Sequence, residues 1–67
     1  MMDYKKRLEA FEKMLTEIQR NYETAENKMK QLKAEGKEKS ATYRQYFGNR
    51  MLYKMILEKY QEYGLID

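Results

Sequence analysis

The chain has no cysteine, histidine, tryptophan or proline, and only three of its 67 residues are glycine. Each absence removes a class of explanation. Without cysteine there is no disulfide, and without histidine or cysteine the usual structural zinc sets, nucleophiles and general bases are missing. An enzyme, a cofactor and a small-molecule substrate are therefore not expected. No apolar run approaches the roughly 18 residues of a membrane span, and no signal-peptide core follows Met1, so the cytoplasm is the default expectation. The absence of proline suits long helices.

Charged residues make up 37% of the chain and hydrophobic ones 42%. A chain this short forms at most one domain, residues 1–67, and buries too small a fraction of its surface to be comfortably stable alone. With disulfide and zinc excluded, oligomerisation is the remaining means of stabilisation. The net charge of +3 is unevenly placed: residues 1–27 carry −1, residues 28–44 carry +4, and the remainder balances. The basic segment coincides with an expected turn.

The apolar residues are periodic. Tyr4, Leu8, Phe11, Leu15, Ile18, Tyr22, Ala25, Met29 and Leu32 recur at alternating spacings of four and three. This is a heptad seam, which describes a long helix that must lie against another. A second seam, Tyr46, Asn49, Tyr53, Ile56, Tyr60 and Tyr63, follows Gly36. In an antiparallel hairpin the two seams pair as Leu32 with Tyr46, Met29 with Asn49, Ala25 with Tyr53, Tyr22 with Ile56, Ile18 with Tyr60 and Leu15 with Tyr63. The pairing of Ala25 with Tyr53 sets the smallest seam residue against a large one, which keeps layer volume constant.

Local signals place the ends. Asp3 suits an N-cap, and Gly36 and Gly64 supply left-handed positions that end helices. The expected elements are a first helix over about 3–35, a turn over 36–41 and a second helix over about 42–63. The second helix opens at Ser40 or Thr42, where Thr42 and Gln45 match a capping box and Ala41 and Tyr46 a hydrophobic staple. Gly48 followed by Asn49 is the weak point, because glycine in a helix costs about 1 kcal/mol against alanine. The helical phase of Tyr46, Tyr53 and Ile56 across it favours one continuous helix. The fold class is thus all-α, an antiparallel, coiled-coil-like helical hairpin. Its arrangement is similar to that of plasmid-type RNA-binding four-helix bundles made of two hairpins, a likeness of architecture that implies no function.

Two features ask for a second chain. In this register Tyr4, Leu8 and Phe11 extend past the end of the second helix, where Leu65 and Ile66 reach only part of them. The second helix also has surplus apolar surface: Leu52 and Leu57 widen its seam, and Phe47, Met51 and Met55 fall on another face. Pairing of two hairpins into a four-helix bundle answers both demands, so a homodimer is expected.

Chemistry-bearing constellations are few. Glu9 with Glu12 and Glu23 with Glu26 are spaced as a carboxylate pair would be, but they lie outside the seam, where pairing with Lys13 and Lys30 is the better account. Five of the seven tyrosines lie in the second helix, interleaved with Arg44, Arg50, Lys54 and Lys59, a pattern that also suits stacking on single-stranded nucleic acid. Their fit to the seam favours a packing role. Asn49, a polar seam residue, is assigned to fixing register. Lys5, Lys6 and Arg7 beside Tyr4 and Leu8 resemble a membrane anchor, yet the seam continues unchanged into the packed region, so no membrane contact is expected.

The leading expectation is a non-enzymatic regulatory or adaptor protein that self-associates and binds a protein partner. Phe47, Met51 and Met55 are its candidate contacts. The alternative is a nucleic-acid binder using Lys28, Lys30, Lys33, Lys37, Lys39 and Arg44 around the turn, where Ser40 and Thr42 at a helix N-terminus add donors for a phosphate.

Overall fold

A computed structural model describes residues 3–67 as two helices, α1 (Tyr4–Ala34) and α2 (Ala41–Glu62), packed side by side. Asp3 starts α1 by accepting a hydrogen bond from the Lys5 amide at 3.1 Å. The helix ends where Gly36 takes φ 73°, with the Lys37 amide bonded to the Leu32 carbonyl and the Gly36 amide to the Lys33 carbonyl. That double bond pattern is a Schellman close, and it repeats at Gly64, where the Leu65 amide reaches the Tyr60 carbonyl. Both glycines are needed for their positive φ, which a residue with a Cβ rarely adopts.

Ser40, and not Thr42, caps α2. Its hydroxyl accepts from the Tyr43 amide at 3.1 Å and donates to the Lys37 carbonyl at 2.7 Å. The Schellman turn brings the Lys37 carbonyl within reach of Ser40, so this residue is held at both sides and Thr42 becomes part of the helix. The expected Thr42–Gln45 capping box does not form, because the residue three after Ser40 is Tyr43. Across Gly48 the helix is unbroken.

The seam forms, with the residues meeting at lower positions along α1 than expected. Tyr60, expected against Ile18, instead meets Phe11 edge-on, with ring centroids 5.3 Å apart and planes at 82°. Ala25 shares a hollow with Tyr53, as expected, and also with Tyr46 and Asn49. Asn49 therefore lies beside Ala25 and Asn21, while Met29 lines the opposite edge with Tyr43. Tyr63, expected to pair with Leu15, is 79% exposed. The edge-to-face aromatic contact, worth about 0.5–1.5 kcal/mol, favours that position.

Among the described residues, Leu15, Ile18 and Ala25 are buried, all on α1. On α2, Tyr46, Tyr53, Ile56 and Tyr60 are half-buried, because a single neighbouring helix can cover only one stripe. The hairpin is accordingly long and thin, 51 × 21 × 15 Å, with a radius of gyration of 15.2 Å. A compact chain of this length would have about 11 Å.

Ala25 is 2% exposed, so a phenylalanine there has no space. Ala25→Phe should destabilise the hairpin by roughly 1–3 kcal/mol in urea denaturation, whereas Lys13→Ala on the exposed side should stay within about 0.5 kcal/mol of wild type. Equal stability of the two variants would contradict the seam described here.

Candidate interaction surfaces

The side of α2 turned away from α1 is apolar at its centre. Phe47, Met51, Leu52 and Met55 are 45%, 49%, 54% and 62% exposed, and they occupy neighbouring positions over about three turns. Gly48 sits among them, and a Cβ added there would meet nothing within 4 Å. Phe47, Met51 and Met55 thus lie together, as their spacing implies. Leu52 belongs with them and does not widen the seam. The hint was its position four residues after Gly48, which stacks it above the glycine on the outer face. Leu57 is half-buried and does border the seam.

A second apolar patch lies at the open end, where Tyr4, Leu8 and Phe11 meet Leu65 around a shallow hollow that Arg7 also lines. Phe11 is only half-exposed because Tyr60 covers it, so the overhang is smaller than expected and consists of Tyr4 and Leu8. The C-terminal segment folds back here, with the Gln61 side-chain amide donating to the Asp67 carbonyl at 3.0 Å.

The basic residues near the turn are distributed over different sides. Lys30 and Lys33 line a groove with Glu26, Met29, Tyr43 and Arg50. Lys28, Lys37, Lys39 and Arg44 are exposed elsewhere, and Lys37 is 3.4 Å from the Glu35 carboxylate. The structure therefore gathers two of the six candidates and adds Arg50. Its presence was not legible from the turn sequence, because it comes from the middle of α2.

Arg50 holds the edge between the helices. Its Nε lies 3.7 Å from Glu26 Oε1, and its guanidinium stands 5.9 Å from the centre of the Tyr22 ring. Hydrogen bonding to the Tyr22 hydroxyl, with the Arg50 charge beside it, holds the Glu26 carboxyl below its usual range. The same hydrogen bond, with Glu26 as acceptor, raises the Tyr22 hydroxyl. This cluster ties α1 to α2 and leaves no free reactive group.

Among the described residues, no group of three or more acidic, histidine or cysteine side chains is placed to hold a metal ion. Among the same residues, no helix is long and apolar enough to cross a membrane. Comparison of the chain with known protein families, curated proteins and solved structures finds no match.

The depressed Glu26 carboxyl has a pH consequence. A group whose pKa is lower folded than unfolded contributes stability above its unfolded value of about 4.3 and loses it as pH falls through the folded value. Glu26→Gln should therefore reduce the loss of stability on acidification below about pH 4, as followed by helical circular dichroism across a pH series. An acid limb identical to that of wild type would mean that Glu26 is not differentially bound in the folded state.

Proposed function

We propose that this protein acts by binding and not by catalysis: a helical hairpin that self-associates into a four-helix bundle and presents a helical surface to a protein partner, as a small cytoplasmic regulator or adaptor would. The observation that carries this reading is the exposed apolar face of α2, formed by Phe47, Met51, Leu52 and Met55. Contiguous exposed apolar side chains on a small chain mark an interaction site, because leaving them in water forgoes hydrophobic stabilisation. An amphipathic helix docks such an apolar face into a partner's groove, and adaptable methionine side chains suit that role.

Sedimentation equilibrium at micromolar concentration tests the first half. A dimer is expected, and a stable monomer of 8.3 kDa would contradict it. Phe47→Ala and Met51→Ala should weaken self-association or partner binding while leaving the hairpin's helicity intact, because both side chains point away from α1.

A nucleic-acid reading draws support from the groove in which Lys30, Lys33 and Arg50 converge beside Tyr43. Glu26 in the same groove already pairs with Arg50, which lowers its appeal to phosphate. Changing Lys30 and Lys33 together to glutamate should leave the hairpin's helicity almost untouched, since both side chains are exposed. Nucleic-acid binding that exists in wild type, falls steeply with salt and is lost in this variant would favour the second reading over the first.

A further inference from the structure

The outer face of α2 has a charge order as well as an apolar centre. Along the stripe opposite the seam run Arg44, Gly48, Met51, Met55, Glu58 and Glu62, at spacings of four, three, four, three and four. This is a second heptad seam, basic at its start, apolar in the middle and acidic at its end. Among the described residues, neither Arg44 nor Glu58 has an ion-pair partner, while Glu62 meets Lys59 at 3.1 Å with both side chains largely in solvent.

We infer that a second copy of this chain packs on this stripe with its α2 running antiparallel, an inference that rests on the self-association proposed above. Antiparallel pairing sets Met51 and Met55 of one copy against Met51 and Met55 of the partner subunit. The same register sets each Arg44 against Glu62 of the partner subunit, with Glu58 of the partner subunit one turn away, opposite Gly48. Parallel pairing would oppose Arg44 to its own copy and each glutamate to its own copy, which is repulsive at both ends. The stripe is therefore self-complementary in one orientation only, as a twofold interface requires.

Surface area supports a partner of this size. The hairpin exposes 5882 Å², whereas a compact monomer of 8.3 kDa would expose about 4,600 Å². The excess exceeds the roughly 800 Å² per partner that a standard interface buries. Gly48 fits the same account: it weakens α2 with no contact inside the hairpin to explain it, and between two helices it lets the backbones approach.

Charge reversal tests the orientation. Arg44→Glu alone, and Glu58→Arg with Glu62→Arg, should each weaken dimerisation about tenfold or more at low salt, and the triple variant should recover most of the loss. A dimer unaffected by either reversal, or single losses without rescue, would overturn the antiparallel arrangement. A wild-type monomer at tens of micromolar would instead remove the self-association reading itself. The absence of native cysteine permits an independent check: Arg44→Cys should not crosslink to its own copy, because antiparallel pairing keeps the two positions far beyond the 7 Å limit between disulfide-bonded Cα atoms. Ready formation of that disulfide in the dimer would show parallel pairing and overturn the inference.

Discussion

Two helices packed against each other can hide only one stripe of each, and that limit governs everything else in this chain. The seam of α1 buries Leu15, Ile18 and Ala25, while α2 contributes rings and aliphatic groups that remain partly wet. There is no second layer behind either helix. Apolar surface that a more compact domain of this size would bury is therefore still exposed, most of it on α2 and at the open end of the hairpin.

The rest of the structure compensates for a thin core at its ends and edge. Two Schellman closes and two side-chain caps satisfy backbone groups that would otherwise face water unpaired. Ser40 binds both the turn before it and the helix after it, which fixes where α2 begins. Along one edge, Arg50 spans to Glu26 and Tyr22 of α1, and that bridge is polar because solvent reaches it. None of these devices buries apolar surface, so the outer face of α2 stays exposed.

The helices, their glycine ends and the continuity across Gly48 were legible in the sequence, since periodicity and the positive-φ requirement are local properties. The register was less so. Layers written from heptad phase alone put Tyr60 against Ile18, but the side chain that decides is the ring of Phe11, and its reach along the groove does not appear in a spacing rule. The choice of Ser40 over Thr42 was similarly hidden, because it depends on where the Lys37 carbonyl comes to lie. Phe47, Met51 and Met55 were recognisable as one face. Leu52 was assigned to the seam because its wheel position lies between the two stripes, and only packing tells which stripe claims it. The lysine cluster looked continuous in sequence and is divided around the turn, since residues on α1, on the loop and on α2 face different ways.

The central claim is that the hairpin is half of a folded unit, completed through the outer face of α2. Coupling of folding to association makes the midpoint of thermal unfolding depend on protein concentration. The most direct measurement is that midpoint from about 1 to 500 μM, followed by circular dichroism at fixed pH and salt. The account predicts a midpoint that rises steadily with concentration, with the rise lost when Met51 is replaced by aspartate. A midpoint that is high and independent of concentration over that range would contradict it, because the single seam of Leu15, Ile18 and Ala25 would then be sufficient by itself.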